Sequence, residues 1–521
     1  MTAQVLTGIL LVIFFAVMIG VGLYCRKHAT NVDGFVLGGR SVGPWLTAFA
    51  FGTSYFSAVI FVGYAGQFGW NFGVASTWIG LGNAFIGSLL AWVILGRRTR
   101  VMTQHIDSKT MPDFFGKRYG SDKLKIAASI IVFIFLIPYT ASLYNGLSSL
   151  FNIAFEVPYW ACILIMAVLT GIYVIFGGYM ATAINDFIQG IIMLIGISAV
   201  VAAVLNANGG LMGSFEALAN APEGGWQYTA FLGPNPLFLF FVVMLTSLGT
   251  WGLPQMVGKF YAITNENAIK KGTIISTVFA IIVAGGCYFL GGFGRLFMTQ
   301  EDVTARGFDA VVPTMLATLS PVIIAIVIVL VLSASMSTLS SLVLTSSSTL
   351  TLDMIAPLKK KAMDEKSKVL TMRLLVVFFI ALSAVIAILK DTIWSNFVFI
   401  AQMMGVSWGA LAGAFLAPFL YGLYWKKTTR ASVAVCFIFG CGLMVIQLCK
   451  SVGWLQIDGG VLGFIFTNSL YSGVFAMVGG LIIVPIVSLL TPKSRPANVE
   501  QMFAGYNRET VSSAKRNLGG K

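Results

Sequence analysis

The sequence predicts an all-α integral membrane protein with about 13 transmembrane helices. Hydrophobic residues make up 57% of the 521 residues and charged residues only 10%, a balance too apolar for a soluble protein. Apolar segments of about 20 residues, the length that crosses a bilayer, recur from one end of the chain to the other. Lys and Arg lie in short clusters between these segments, which is typical of membrane proteins.

The spacing of these clusters also predicts the orientation in the membrane. The predicted segments cover about residues 3–25, 43–70, 73–96, 126–152, 158–176, 183–206, 235–258, 272–298, 317–351, 369–389, 394–424, 431–449 and 462–490. With the N-terminus outside, 29 of the 33 Lys and Arg fall on the cytoplasmic side, with Lys259 in the loop 259–271. The positive-inside rule therefore predicts an external N-terminus and a cytoplasmic C-terminus.

Several classes of function find little support in the sequence. The net charge of +14 is spread over membrane-flanking loops, so it does not indicate nucleic-acid binding. Both histidines, His28 and His105, lie in predicted cytoplasmic loops, and the six cysteines show no CxxC spacing. Paired carboxylates, a glycine-rich phosphate loop and a Ser/His/Asp set are absent from suitable positions, so an enzyme is not expected.

A serine-rich stretch at residues 333–351 is the clearest functional signal. It continues an apolar segment, yet 12 of its 19 residues are Ser or Thr and none is charged. Ser337, Ser340 and Ser341 share one helix face, with Thr338 on its flank. Neutral oxygens suit a hard cation such as Na⁺ better than a transition metal. The alternative is that these hydroxyls bond to their own helix or to neighbouring helices.

Two membrane segments carry residues that interrupt helices. The second segment contains Gly52, Thr53 and Ser54, and the seventh contains the run 249–254, which ends in Pro254. Since they lie five segments apart, they are typical of a 5+5 inverted repeat with substrate bound at broken helices. The predicted organisation is an extra helix and loop (1–42), a first repeat (43–206), an external loop (207–234), a second repeat (235–424), two further helices (425–490) and a cytoplasmic tail (491–521) that is expected to be disordered.

One carboxylate, Asp186, is expected inside the membrane, at the cytoplasmic start of the sixth segment. Two roles are open for it. It would either complement the dipole at the start of its helix or act as a cation ligand or gate.

Five motifs resemble those of the sodium:solute symporter family, whose bacterial members include proline and pantothenate symporters. They are LGGRS at 38–42, the Gly52–Ala58 run, IFGGYMATAINDFIQG at 175–190, LPQMVGKF at 253–260 and SASMSTLSSL at 333–342. The resemblance extends over about residues 5–490. It implies a leucine-transporter-like fold, with one helix before a ten-helix core and two after it.

The resemblance also implies the positions of cation ligands. The main Na⁺ site would be formed by the carbonyls of Thr53, Phe56 and Ala334 and the hydroxyls of Ser337 and Thr338. Some members of the family hold a second Na⁺ near an aspartate and a pair of later serines. Here Asp186, Ser337, Ser340 and Ser341 match that pattern.

The broken-helix neighbourhood is the predicted solute site, since aromatic walls with a few polar groups are typical of small-molecule sites. The candidates are Ser54, Tyr55, Ser57, Tyr139, Thr250, Trp251 and Gln402. Tyr139 and Trp251 have helix packing as an alternative role. Tyr139 matches a substrate-lining tyrosine of the family's proline symporters, whereas Thr246 and Thr250 replace an aromatic pair of those proteins, which argues against proline. The family's sialic-acid members use an arginine in the third core helix, and no Arg lies between Lys125 and Arg295 here, so the resemblance does not favour a strongly anionic solute held by Arg.

The sequence therefore predicts a Na⁺-coupled secondary active symporter of the bacterial inner membrane. Its partners would be Na⁺, the lipid bilayer and a small organic solute that is neutral, zwitterionic or weakly acidic. H⁺ coupling on the same fold, a solute-sensing membrane module and a passive channel are the alternatives. The sequence leaves the solute, the Na⁺ count and the oligomeric state open.

Overall fold

The chain folds into helices, ten of which are long and apolar enough to cross a membrane within the part that the structure describes. A computed structural model describes residues 3–155, 158–359, 361–389 and 400–511. The ten helical runs are Val5–His28, Val59–His105, Asp122–Tyr144, Trp160–Ala207, Glu266–Leu296, Pro321–Leu358, Glu365–Ile388, Gln402–Tyr424, Arg430–Ser451 and Ser469–Leu490. The bent pair Pro236–Gly252 and Pro254–Ala262 is an eleventh if its halves form one span.

Within the described residues, neighbouring predicted segments share one helical run in two places, so the thirteen predicted spans do not match the long helices one to one. The end of segment 43–70 and segment 73–96 lie in Val59–His105, and segments 158–176 and 183–206 lie in Trp160–Ala207. That run is interrupted at Gly178, whose φ of 55° is left-handed and whose absent Cβ would lie 2.9 Å from the Phe35 carbonyl oxygen. Residues 394–399 of the predicted segment 394–424 lie outside the described residues. The inverted repeat remains a prediction.

The helices differ in how deeply they are enclosed. In the most apolar 18-residue stretch of each helix, the buried share of residues is 94% in Gln402–Tyr424 and 78% in Pro321–Leu358, but only 22% in Val5–His28. The serine-rich stretch therefore lies in the centre of the helical assembly, and the N-terminal helix lies at its edge.

The first broken helix, Pro44–Tyr55, confirms the interruption predicted in the second segment. Pro44 begins the helix, where the fixed φ of proline and its missing N–H are compatible with helical geometry. The helix ends at Phe56, whose φ of −98° and ψ of 87° are not helical. Helical structure resumes by Val59. Gly52 allows close packing beside the break, since a Cβ there would lie 2.4 Å from the Phe279 ring.

The second broken helix, Pro236–Gly252 with Pro254–Ala262, confirms the other predicted interruption. Its two halves meet at an angle of 47°. Leu253 is extended, with φ −87° and ψ 119°, and Pro254 begins the second half. Because proline cannot donate a backbone hydrogen bond, the helical ladder cannot continue through this point.

The two broken helices are joined at their predicted cytoplasmic ends. The Val42 N–H donates to the Ala262 carbonyl at 3.2 Å, and the Thr264 N–H donates to the Val42 carbonyl at 3.0 Å. The Arg100 guanidinium adds a 2.7 Å bond to the Ile263 carbonyl. The segment before the first broken helix is thus held against the end of the second.

The tail is predicted to be disordered, but its described part, which ends at residue 511, contains the helix Val499–Val511, while residues 512–521 lie outside the described residues. Met502, Phe503 and Tyr506 are buried on one side of it. Arg118 lies over the Phe503 ring at 5.1 Å, and the Tyr506 hydroxyl donates to the Leu423 carbonyl at 3.0 Å. Apolar side chains spaced at i, i+1 and i+4 give this helix a buried face despite its polar composition.

Candidate functional site

The serine-rich helix, Pro321–Thr349, places its hydroxyls in two kinds of environment. Ser335 donates to the Val331 carbonyl at 2.9 Å, and Ser348 donates to the Leu344 carbonyl at 2.7 Å. These bonds within one helix are the structural role expected for Ser in a membrane helix. Ser337, Thr338 and Ser341 instead contact the first broken helix.

The predicted main Na⁺ site is a compact group of neutral oxygens. The hydroxyls of Ser337 and Thr338 lie 3.2 and 3.1 Å from the Thr53 carbonyl oxygen. Each also lies 3.1 Å from the Ala334 carbonyl oxygen. Thr53, Ala334, Ser337 and Thr338 are therefore brought together, and Phe56 lies at the break itself. Oxygen donors without a carboxylate suit a monovalent hard cation.

The residues of the predicted second Na⁺ site surround a lysine. Lys259 Nζ lies 2.9 Å from Ser341 Oγ and 3.6 Å from Asp186 Oδ2. Ser341 Oγ also lies 2.7 Å from Ser54 Oγ, while Ser340 donates to the Ser337 carbonyl at 2.8 Å. Asp186 is fully buried, and only 4% of the Lys259 side chain is exposed.

Lys259 is buried and does not lie in the predicted cytoplasmic loop 259–271. The helix that restarts at Pro254 continues to Ala262 and carries Lys259 into the protein. Pro254 predicts the helix break, but the direction of the second half depends on the 47° bend. The sequence gives no signal for that direction.

A cavity of about 50 Å³ borders this lysine on the predicted cytoplasmic side. Lys259, Ser341 and Gln255 line its inner end together with Tyr179, whose ring centroid lies 5.4 Å from the ammonium. Lys109 lines it as well, from the loop before Met111–Tyr119. The cavity connects a polar surface with the centre of the helical assembly.

A second polar group lies beside the break of the first helix. Ser57 Oγ, Tyr139 Oη and Trp408 Nε1 are buried and have no hydrogen-bond partner within the described residues. The rings of Tyr139 and Trp408 meet edge to face at 5.9 Å, and the Ser57 and Trp408 side chains are close enough to the Tyr139 hydroxyl to interact with it. Tyr55 lies 6.0 Å from the same indole. Unpaired polar groups against aromatic walls are typical of a ligand site.

Of the remaining predicted solute residues, Tyr55, Thr250 and Trp251 make hydrogen bonds to backbone carbonyls. Trp251 donates to the Ile86 carbonyl at 3.1 Å, and Thr250 donates to the Ser247 carbonyl at 2.8 Å. The Tyr55 hydroxyl donates to the Thr246 carbonyl and so joins the two broken helices. The Gln402 side-chain oxygen is buried without a partner among the described residues. Trp408 was not predicted, because a Trp within an apolar helix is typical of a packing residue.

A very small cavity of about 10 Å³ lies next to both polar groups. Phe56 and Ser57 line it from the break, and Ala334 lines it from the serine-rich helix. Its other walls are apolar side chains of the neighbouring helices, Phe61, Met193, Ile197, Val283, Cys287 and Leu330.

The helices, the two breaks and the buried oxygen cluster define a multi-pass membrane protein built around broken helices. The chain belongs to the sodium:solute symporter family, whose model matches residues 35–440. A sodium/proline symporter of Staphylococcus aureus strain bovine RF122 / ET3-1 is 28% identical over 497 residues, which cover 94% of this chain and 92% of that protein. The sodium/proline symporter of strain JH9 is equally similar, with the same identity and coverage.

Solved structures show the same fold. A substrate-bound, outward-open Na⁺-coupled sialic acid symporter, described as having a novel Na⁺ site, superposes with a TM-score of 0.72 at 16% identity. The superposition covers 93% of this chain and 98% of that one. A manganese transporter from Eremococcus coleocola is more distant, with a TM-score of 0.50 at 12% identity over 88% of this chain and 96% of that one. At these identities the likeness establishes the fold alone.

Proposed function

We propose that this protein is a Na⁺-coupled symporter that imports a small organic solute across the bacterial inner membrane by alternating access. The observation that carries the proposal is the contact of Ser337 and Thr338 with the Thr53 carbonyl, 3.2 and 3.1 Å across two helices. Membership of the sodium:solute symporter family and the Na⁺ coupling in its relatives' names support the same function.

In this mechanism Na⁺ binds first, from outside. It takes the carbonyl oxygens of Thr53, Phe56 and Ala334 and the hydroxyl oxygens of Ser337 and Thr338 as ligands. The ion thereby holds the first broken helix against the serine-rich helix and stabilises the conformation that binds solute. Each positive charge moved inward across the membrane releases about 2.3 kcal/mol per 100 mV, which drives solute accumulation.

The solute is proposed to bind beside the break, between Ser57, Tyr139 and Trp408. These three polar groups are buried and lack partners within the described part of the chain, so a ligand that hydrogen-bonds to them restores bonds that the protein leaves unmade. The group is uncharged, which favours a neutral, zwitterionic or weakly acidic solute. Tyr55, Thr250, Trp251 and Gln402 complete the proposed surroundings, with Tyr55 as an aromatic wall, whereas the predicted solute residue Ser54 has its hydroxyl bonded to Ser341.

The test is uptake into proteoliposomes at a fixed membrane potential. A thermal-shift screen of amino acids, vitamin-like carboxylates and sugars, with and without Na⁺, first selects the solute, with L-proline included. Replacing Na⁺ by K⁺ should abolish uptake of that solute, and so should the double variant Ser337→Ala with Thr338→Ala. Ser335→Ala is the matched control, since Ser335 is a buried serine of the same helix that bonds only to its own turn at 2.9 Å.

The alternatives give different results in the same experiment. Uptake that persists without Na⁺ and follows a pH gradient would indicate H⁺ coupling. Solute binding without flux would indicate a sensing module, and flux that runs only downhill would indicate a channel. Full uptake in K⁺ and in the double variant would contradict the proposed coupling.

A further inference from the structure

We propose that the Lys259 ammonium permanently occupies the place of a second Na⁺, so that the protein binds one Na⁺, at the Thr53–Ser337–Thr338 cluster. The inference rests on the proposed function and specifies its ion count. It starts from a contact: Lys259 Nζ lies 2.9 Å from Ser341 Oγ and 3.6 Å from Asp186 Oδ2. These are oxygens that a second ion would use.

The charges at this site balance without an added ion. Asp186 is fully buried, and a buried carboxylate requires a nearby cation or protonation. Both of its oxygens lack a hydrogen bond within the described residues, so its counter-charge is the ammonium at 3.6 Å. A Na⁺ bound to Asp186 and Ser341 would lie against this ammonium. Two cations in direct contact repel strongly where water is excluded.

The Ser341 oxygen is also committed. It accepts from Lys259 at 2.9 Å and shares a hydrogen bond with Ser54 at 2.7 Å. Ser340 donates to the Ser337 carbonyl at 2.8 Å and keeps the lone pairs of its own oxygen. A second Na⁺ would therefore have to displace Lys259 from Ser341 before it gained that ligand.

The lysine therefore makes the connections that a bound ion would make. Lys259 lies on the second broken helix, Ser341 on the serine-rich helix and Asp186 on the long helix Tyr159–Ala207. Ser54, through Ser341, adds the first broken helix. Because this cation is part of the chain, it joins the four helices at any Na⁺ concentration. Only the main site then responds to the Na⁺ gradient.

Removing the charge of Lys259 should create the second site. In Lys259→Met the Asp186 carboxylate loses its counter-ion while its oxygens and those of Ser340 and Ser341 stay in place. A cavity of about 50 Å³, lined by Lys259 and Ser341, lies beside this place. The predicted gain is one additional Na⁺ per protein molecule.

The experiment is equilibrium binding of ²²Na⁺ alone to the purified full-length protein, which needs no knowledge of the solute. Wild type should bind one ion and Lys259→Met two. Lys259→Arg keeps the positive charge and should bind one, and Lys259→Met with Asp186→Asn removes both charges and should also bind one. In Lys259→Met, the added pair Ser337→Ala and Thr338→Ala should abolish one of the two ions.

Two results would overturn the inference. One is a wild type that binds two ions and loses one in Asp186→Asn. The other is a Lys259→Met variant that retains a sharp thermal transition yet binds no more ions than wild type. If Lys259→Met does not fold, the wild-type count and its dependence on Asp186 decide the matter. A wild type that binds no Na⁺ contradicts the proposed function instead, and the gain in Lys259→Met still tests the role of the lysine.

Discussion

The hydroxyls of Ser54 and Ser341 lie 2.7 Å apart and join the first broken helix to the serine-rich helix. Ser57, three residues after Ser54, belongs to the buried polar group with Tyr139 and Trp408, while the Thr53 carbonyl next to Ser54 accepts from Ser337 and Thr338. The proposed Na⁺ site, the buried lysine and the proposed solute site are therefore all connected to residues 53–57. A change in the conformation of this short segment affects all three.

Removing the Ser54 hydroxyl should destabilise the protein without removing a ligand. Ser54→Ala deletes a buried hydrogen bond, worth about 1 kcal/mol, and leaves Ser341 bonded to Lys259. We expect a lower melting temperature in a fluorescence-based thermal scan without solute, and unchanged solute affinity. Ser335→Ala is the control and should change the melting temperature less. A loss of solute affinity in Ser54→Ala that exceeds the stability effect would instead assign Ser54 to the solute site.

Removing the Tyr139 hydroxyl should weaken solute binding and spare Na⁺ binding. Tyr139→Phe keeps the ring against Trp408, at 5.9 Å, and deletes one of the buried polar groups that lack a partner within the described residues. A lost hydrogen bond of about 0.5–1.5 kcal/mol corresponds to an affinity about 2- to 13-fold lower. The solute concentration at half-maximal uptake measures the effect on solute binding, and ²²Na⁺ binding measures the effect on the ion.

Tyr144→Phe is the matched control for Tyr139→Phe. Tyr144 lies on the same helix, is equally buried, and its hydroxyl is also without a partner in the described part of the chain. It should leave the half-saturation of uptake unchanged. Equal effects of the two variants would indicate that a general change in the helix, rather than a contact with solute, lowers the affinity.

How far the sequence predicts this structure depends on whether a feature is local. Gly52 and Pro254 act on their own segments of backbone, so both helix interruptions can be predicted from the sequence alone. The pairing of Ser337 and Thr338 with Thr53 follows the family motifs and is matched by the contacts here. The inward position of Lys259 depends on a 47° bend, and no sequence pattern specifies such an angle.

Two other features depend on packing between distant segments. Trp408 meets Tyr139 because the helices that carry them, which are distant in the sequence, lie against each other. The prediction of disorder is wrong for residues 499–511, because the overall polarity of the tail hides a buried face formed by Met502, Phe503 and Tyr506. Helical periodicity in the tail is the signal that indicates this face.

Arg295 should hold the loop 207–234 in place. Its guanidinium lies between the rings of Trp70 and Tyr228, at 4.2 and 3.9 Å, and donates to the Glu223 carbonyl at 2.7 Å. Arg295→Gln loses the cation–π contacts and their charge, so protease should cleave this loop faster at a temperature where wild type is resistant. Arg306→Gln is the control, because Arg306 bonds to Thr314 at an exposed position. Equal cleavage of the two variants would contradict this role.

The docked tail helix should stabilise the predicted cytoplasmic face. Phe503 and Tyr506 are 8% exposed, and they pack against Arg118 and Arg98 at 5.1 and 4.7 Å. The double variant Phe503→Ala with Tyr506→Ala removes both aromatic contacts and the hydrogen bond to Leu423, so it should lower the melting temperature by several degrees.

Gln501→Ala is the control for the tail variant, since the Gln501 side chain is exposed and the bond to His105 uses its backbone carbonyl. It should melt like wild type. Arg98 and Arg118, which contact the tail helix, also donate to the carbonyls of Leu423 and Trp425 at the start of the short loop after Tyr424. Release of the tail should therefore also increase hydrogen–deuterium exchange in residues 423–430. Unchanged exchange there, together with an unchanged melting temperature, would mean that the helix contributes nothing to this face.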